Sequence, residues 1–416
     1  MAVVAFPGPK ALESVGVRPH LLEDLAVKTL CLEGELSLLD LAEKMRLRLS
    51  IVDELFQHLR KEQLCEVKGM NGNVYRVALT SQGKARGMEL LSLNQYVGSA
   101  PVSLSDYVTR IQFQSVKKAV VRPSDVRQAF ENLVLDDQTL KQLGTAVTSG
   151  TSIFLYGPTG TGKTSLALNL LQIYRDQVWI PYAVEVDGQM IAVYDSAVHE
   201  RVDHRLPPDN DRRWVLCQRP RVIAGGELTS EMLDLQFNPI TKFYAAPLQM
   251  KANNGVLIID DFGRQRMRPE EMLNRWILPL DRGIDFLTLA GGKKFEIPFD
   301  VLVVFSTNLD LTELADAAFL RRIQNKIKVG YVTPEQFHEI FRRACRQAGL
   351  TYDADVVEHL IELLSKELKE PLRACYPWDI TNQICWAASY EGRAAQFERE
   401  TVAQACRNYF LRPQTD

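Results

Sequence analysis

Three features are missing from this chain of 416 residues, and each absence removes a class of function. No apolar run approaches the ~20 residues that a membrane-spanning helix needs, so no membrane association is expected. No pair among the seven cysteines (Cys31, Cys65, Cys217, Cys345, Cys375, Cys385, Cys406) has C-x-x-C spacing, and their number is odd. That pattern argues against a zinc ribbon or a disulfide frame and fits reduced thiols in a cytoplasmic protein. There is no excess of one charge: 49 basic side chains stand against 52 acidic ones, for a net charge of −3. Bulk electrostatic capture of nucleic acid is therefore not expected, which leaves only a local basic patch as a route to it. Residues 1–10 carry neither a basic n-region nor a sustained apolar h-region, so they are not expected to act as a signal peptide. Apart from those Gly/Pro-rich first residues, there is no low-complexity tract and no internal repeat. What remains is ordinary globular composition, 46% hydrophobic and 24% charged, at a length that fits two or three domains.

The most specific signal lies at residues 157–164: Gly157, Pro158, Thr159, Gly160, Thr161, Gly162, Lys163 and Thr164. The apolar run Ile153-Phe154-Leu155-Tyr156 precedes it, and a Leu- and Ala-rich helical stretch opens at Ser165. Strand, G-x-x-x-x-G-K-T and helix in that order form the P-loop pattern. Glycines let successive backbone N–H groups curl around phosphate oxygens, and the helix N-terminus adds donors and partial positive charge. Lys163 is expected to reach the β- and γ-phosphates and the Thr164 hydroxyl to ligate Mg²⁺. A plain glycine-rich turn would leave the Lys-Thr pair unexplained. The expected ligands are ATP and Mg²⁺.

Residues 20–98 form a pattern of their own. Helical spacing runs over 21–32 and ends at Gly34; Ser37 is a candidate N-cap for a short helix, and Ser50 for a third helix over 51–62. Two short alternating segments, 65–67 and 74–78, flank the turn signal Gly69-Met70-Asn71-Gly72-Asn73. Three helices followed by a two-stranded wing resemble a winged-helix domain, and residues 79–85 resemble the segment that closes one. Winged helices often bind DNA, but the helix over 50–62 sets Asp53, Glu54 and Glu62 against Arg60 and Lys61. A phosphate-binding face calls for clearer basic character, so docking to protein is at least as strong a reading as DNA.

Residues 1–19 read as a flexible N-terminus and 99–126 as a linker. Two helices (124–133 and 136–147) lead into the P-loop strand. An α/β domain over 127–330 is expected to alternate strands with helices around a parallel sheet in three layers. From Thr333-Pro334-Glu335-Gln336 the pattern turns wholly helical, giving a helical lid over 331–416.

Four further elements follow the P-loop in order. Residues 255–261 form a buried strand ending in Asp260 and Asp261, a Walker B pattern in which Asp260 would hold Mg²⁺ through water. Short strands 284–289 and 294–297 around a Gly-Gly turn predict a β-hairpin. Residues 303–308 form another buried strand with Asn308 at its polar tip. Ala317-Ala318-Phe319-Leu320-Arg321-Arg322-Ile323 then carries a basic pair. Together these resemble the AAA+ ATPases over roughly residues 127–410, with a hairpin like the pre-sensor 1 insertion of MoxR-type ATPases and enhancer-binding transcription activators, and bacterial chaperone-like members as the subgroup this suggests.

The resemblance implies a hexameric ring of identical subunits that hydrolyses ATP at subunit interfaces. It gives Asn308 the sensor 1 role and makes Arg322, or secondarily Arg321, the residue that reaches a neighbour's γ-phosphate. Asp261 stands where most hydrolysing relatives carry Glu to polarise the lytic water, a shorter arm that fits slower turnover. Trp378, in Tyr376-Pro377-Trp378-Asp379-Ile380, stands where a sensor 2 arginine is common, with Arg373 nearby. Three functions follow: remodelling of a protein partner, a DNA-linked ATPase working through the winged helix, or a slow nucleotide-gated switch. Glu227 and Tyr244 lie where relatives carry substrate-facing insertions, with core strand ends as the equal alternative. His199, Glu200, Asp203 and His204 lack ligand spacing on a regular scaffold, so a solvated loop is expected and not a metal site.

Overall fold

The computed structural model describes residues 6–202, 209–310 and 320–410. They fall into two compact units. One comprises Tyr174–Leu257, Asn274–Leu302 and the chain up to Ala119; the other comprises Val120–Ile173, Ile258–Leu273 and the chain from Val303.

The first unit begins with helices Pro19–Glu33, Leu38–Met45 and Leu49–Lys61, then strands Cys65–Asn71 and Val74–Leu79, then helix Ser81–Leu93. Strand Leu36–Ser37 pairs with Val74–Leu79, making a three-stranded antiparallel sheet with the hairpin. Ser37 caps the second helix, as its position predicts: its Oγ accepts from the Asp40 backbone N–H at 3.1 Å. The third helix differs from expectation at its start. Arg48, extended at φ −70° and ψ 146°, is the N-cap, and Ser50 already lies inside the helix. Leu22, Leu25, Leu55 and Phe56 fill the core between these elements.

Lys28 is buried in the same place, with its Nζ donating to the Asn94 carbonyl at 3.2 Å and to Asn94 Oδ1 at 3.4 Å. Burial pushes its pKa down from 10.5 to about 8. Between those values the unfolded chain holds a proton that the folded chain has released, so stability rises with pH through that window. The denaturant midpoint is expected to increase from pH 8 towards 10 in the wild type. In Lys28→Met that component of the rise should disappear; an identical pH profile in both proteins would refute the assignment.

Residues 99–126, read as a linker, are built into the structure. Strand Val102–Ser103 and helix Leu104–Phe113 occupy them, with a 3-10 turn at Val116–Lys118. Polar groups from far along the chain hold this stretch. Gln114 Nε2 donates to Asn254 Oδ1 at 2.8 Å, and Ser115 Oγ donates to Asp300 Oδ1 at 2.6 Å. Arg219 forms a fork on Asp176 at 2.6 and 2.7 Å and donates to the carbonyls of Gln114 and Asn254.

The expected alternation of strands and helices also fails between the P-loop helix and the Asp260 strand. The described residues of 177–245 hold seven strands, among them Gln177–Pro181, Ala183–Val186, Gln189–Ala192 and Trp214–Gln218, and no α-helix. Asp187 (φ 54°) and Gly188 (φ 81°) make a two-residue turn between Val186 and Gln189, which sends the chain straight back antiparallel. Such hairpins need no crossover helix. Strands Ile284–Thr288 and Lys294–Pro298 form the expected antiparallel hairpin.

A five-stranded sheet carries the P-loop, in the order Arg221–Ala224, Val256–Ile259, Leu302–Thr307, Ile153–Tyr156, Asn325–Lys328. Ile153–Tyr156 is parallel to both its neighbours. The sheet makes the fold mixed α/β. In the second unit, helices Pro123–Ala129 and Asp137–Ser149 precede the P-loop strand. The C-terminal bundle comprises Pro334–Ala348, Ala354–Glu362, Tyr376–Glu391 and Arg399–Tyr409, with a π-helical stretch at Leu363–Leu368. Thr333 and Gln336 cap its first helix reciprocally. Phe337, Phe341, Leu360 and Ile380 form its core.

Candidate active site

The phosphate loop is shaped by glycines at positive φ. Gly157 has φ 144°, and a Cβ there would stand 2.2 Å from the Val329 carbonyl oxygen. Gly162, at φ 94°, is the N-cap of helix Lys163–Leu170 and leaves that helix end open. Thr161 Oγ1 ties the loop to itself through the Pro158 carbonyl at 2.9 Å. Lys163 is 8% exposed, and its Nζ donates to the carbonyls of Gly157 at 2.9 Å and Pro158 at 2.7 Å. Burial lowers its pKa below the ordinary lysine value, opposed by the charges of Asp261 and Asp260.

The acidic pair follows a fully buried strand. Asp260 Oδ1 accepts from Thr164 Oγ1 at 3.1 Å and from Ser306 Oγ at 2.7 Å. Gln265 Nε2 holds the Asp260 carbonyl at 2.8 Å. Asp261 follows with φ 49°, a left-handed conformation that aspartate tolerates better than most side chains. Next to the pair in sequence, Phe262 packs edge-on against Phe154 and Phe305, which stack on each other, with centroids 5.1 to 5.8 Å apart. This aromatic layer fixes the acidic turn against the P-loop strand. Asn308 Nδ2 donates to Thr159 Oγ1 at 3.1 Å, and its buried Oδ1 has no protein partner.

Thr164 and Asp260 thus bring a hydroxyl and a carboxylate together at the helix N-terminus. Hard oxygens in that arrangement fit a hard divalent cation held partly through water. The pocket beside them has a volume of about 470 Å³. Thr159 to Ser165, Asp261 and Asn308 are among its lining residues, together with Leu133, Asp136, Thr139, Lys328, Tyr331, Gln336, Ile340, Arg343, Cys375, Trp378 and Asp379. Residues 157–165, Asp260, Asp261 and Asn308 are therefore gathered in one place.

Other expected site residues are not. Arg321 is exposed and Arg322 half-buried, and neither lines this chain's own cleft, consistent with an expected role at a neighbour's site and no test of it. Ala317, Ala318 and Phe319, which lead into that pair, lie outside the described residues. Arg373 packs its stem against Gly160 and pairs with Glu370 at 3.0 Å, while its buried Nε has no protein partner. Glu227 is exposed and accepts from the Gly225 backbone N–H, whereas Tyr244 is buried with its OH accepting from the Ala290 N–H at 2.9 Å. His199 is buried, and both its ring nitrogens contact backbone groups of Asp195 and Lys251. Asp203 and His204 lie outside the described residues, and among the described ones there is no metal-binding group of His, Cys, Asp and Glu.

Sequence reading missed Ser306, Gln265 and the cleft residues Tyr331, Gln336, Ile340 and Arg343. Ser306 was visible as a polar side chain within an otherwise apolar strand. Gln265 and Tyr331 sit in loops, and Gln336, Ile340 and Arg343 lie on a helix whose spacing marks its core face and not the side that lines the cleft.

A family model described as a domain of unknown function (DUF8689) matches residues 333–408, the C-terminal bundle. No curated protein matches the chain. Among solved structures, it is similar to NtrX from Brucella abortus in complex with ADP, at 14% identity and a TM-score of 0.41. That match covers 70% of this chain and 58% of NtrX, so the chain spans well under two thirds of NtrX. It is also similar to the RuvB Holliday junction branch migration motor of Thermotoga maritima, at 14% identity and a TM-score of 0.37, covering 66% of this chain and 69% of RuvB. No helix among the described residues is long and apolar enough to cross a membrane.

Proposed function

We propose that this chain is an AAA+ ATPase that binds ATP and Mg²⁺ at residues 157–165 and hydrolyses the γ-phosphate bond. The observation that carries the reading is the convergence of Lys163, Thr164, Asp260 and Ser306 at the mouth of a glycine loop. In this reading the loop amides and Lys163 hold the phosphates. Thr164 and Asp260 hold Mg²⁺, which neutralises phosphate charge when bound. Asp261 orients the attacking water and accepts its proton, and Asn308 positions that water by accepting from it through its unpartnered Oδ1, or donates to the γ-phosphate through its Nδ2.

We further propose that the protein works as a homo-oligomer, a hexameric ring in which Arg322 or Arg321 completes a neighbour's site. Its N-terminal part then acts as a winged-helix domain that docks a protein partner for chaperone-like remodelling. Intramolecular commitment of Arg46, Arg48 and Arg212 supports protein over DNA. Arg48 pairs with Asp209 at 2.9 Å, Arg46 lies 5.8 Å over the Tyr182 ring, and Glu43 pairs with Arg212. These groups flank the helix that would have to enter a groove. The short arm of Asp261 favours slow turnover, which brings the reading close to a nucleotide-gated switch.

Asp261→Asn tests the reading. It should retain ATP binding and lose turnover by about 100-fold, the usual scale for removing a general base. Pulldown with this variant and ATP should hold a protein that the wild type releases. Wild-type turnover should also rise with protein concentration. Full activity in Asp261→Asn would overturn its catalytic role. Salt-dependent capture of duplex DNA by the wild type, with no protein retained, would favour the DNA-linked reading instead.

A further inference from the structure

We infer that Arg264, Arg266 and Arg268 form a docking point for an acidic segment of a protein partner, and that docking there acts on Asp261. Both steps rest on the ATPase and protein-partner reading above. The three arginines follow the acidic pair directly, and each is exposed. Between them, Gln265 and Met267 anchor the loop. Gln265 Oε1 accepts from the Gly263 N–H and its Nε2 donates to the Asp260 carbonyl, both at 2.8 Å, and Met267 is buried. Alternate residues thus hold the loop down while the arginines stand in solvent. Among the described residues, none of the three guanidiniums has an ion-pair, hydrogen-bond or ring partner. Like charges this close in the chain repel one another, and an anionic partner removes that repulsion.

The charge around the patch selects its occupant. Asp260 and Asp261 precede the arginines and Glu270 and Glu271 follow them, so the basic character ends after three side chains. Nucleic-acid binders commonly set cations against about 6–10 phosphates, and such a row would run onto these carboxylates. A short acidic stretch of polypeptide needs only the three, and each guanidinium fork matches a carboxylate with two hydrogen bonds. The backbone couples the patch to the nucleotide site. Arg264 N–H donates to the Asp261 carbonyl at 3.0 Å, closing a turn in which Asp261 has φ 49° and Gly263 φ 102°. Phe262 is fixed within that turn: its N–H donates to the Ser306 carbonyl and its carbonyl accepts from Thr307 Oγ1, both at 2.7 Å. With Phe262 and Gln265 held, a pull on Arg264 falls on the bond to Asp261. Docking therefore alters the placement of the residue that orients the lytic water, and bound nucleotide in turn alters affinity for the acidic segment.

Fluorescence anisotropy of the full chain with a labelled oligoglutamate peptide tests the docking point. The wild type should bind the peptide, and added salt should weaken binding, since exposed charges are screened. Arg264→Gln/Arg266→Gln/Arg268→Gln should weaken it by about tenfold or more, the summed scale of three exposed ion pairs. Arg60→Gln/Lys61→Gln/Lys84→Gln removes the same charge from the N-terminal part and should bind like the wild type. The peptide should also raise steady-state ATP turnover in the wild type and leave it unchanged in the Arg264/Arg266/Arg268 variant. No binding by the wild type, equal weakening in both triple variants, or tighter binding of a single-stranded oligonucleotide of equal charge would each overturn the docking point. Binding with no rise in turnover would overturn the coupling to Asp261. Failure of the wild type to bind Mg-ATP would instead overturn the site reading, a result that the anisotropy measurement distinguishes because it needs no nucleotide.

Discussion

Lys163→Ala should abolish useful nucleotide binding while leaving the fold intact. The wild-type Nζ spans the loop to the Gly157 and Pro158 carbonyls, so the cation is already positioned at the mouth where phosphates would enter. A hydrogen bond to a charged group contributes about 1.5–3 kcal/mol, and this lysine would supply more than one to a triphosphate. The dissociation constant should therefore rise by about 100-fold or more. Folding should suffer little. Alanine is the best helix former for the first turn of Lys163–Leu170, and the deleted ammonium already bore a desolvation cost, as its lowered pKa reports. Calorimetry with Mg-ATP, alongside a thermal melt, separates the two effects. Unchanged affinity in a folded variant would defeat the central reading of residues 157–165.

The parts of this site that were legible in the sequence are those whose chemistry is local. Loop, lysine and hydroxyl lie within eight consecutive residues, and each acidic or amide tip follows an apolar strand that announces itself. What brings them together is not local. Ser306 reaches Asp260 from another strand, and Phe262 locks the acidic turn through aromatic packing with Phe154 and Phe305. The Asp187-Gly188 turn was readable as a hairpin signal between two apolar runs, and overlooking it produced the false expectation of alternating helices. The stretch after Gly98 looked like a linker because its head is Gly-Ser-Ala-Pro. Its order comes from Asn254, Asp300 and Arg219, more than 100 residues downstream, which no window along the chain connects to it. Trp378 was legible as a departure from a pattern. That Arg373 packs on Gly160 while pairing with Glu370 needed the structure.

The largest stability loss is expected from Arg213→Ala. Arg213 and Asp211 form an ion pair whose side chains are only 4% and 5% exposed. The guanidinium donates twice to Asp211, at 3.0 and 2.8 Å, and its remaining nitrogen reaches the Val15 carbonyl at 2.8 Å and the Pro101 carbonyl at 3.2 Å. Truncation strands a buried carboxylate and leaves both carbonyls without this donor, so the cost should be about 3–5 kcal/mol. Arg213→Lys should recover little, because a point ammonium cannot satisfy a fork and two carbonyls at once. Removing both charges in Asp211→Ala/Arg213→Met should cost less than Arg213→Ala alone, since most of the single-variant penalty is the unpaired charge. Denaturant unfolding of the three proteins measures this directly. A loss below about 1 kcal/mol for Arg213→Ala would place the pair among ordinary surface contacts. The expected ordering would instead mean that one arginine joins three segments far apart in the chain, by satisfying backbone groups that no apolar side chain could.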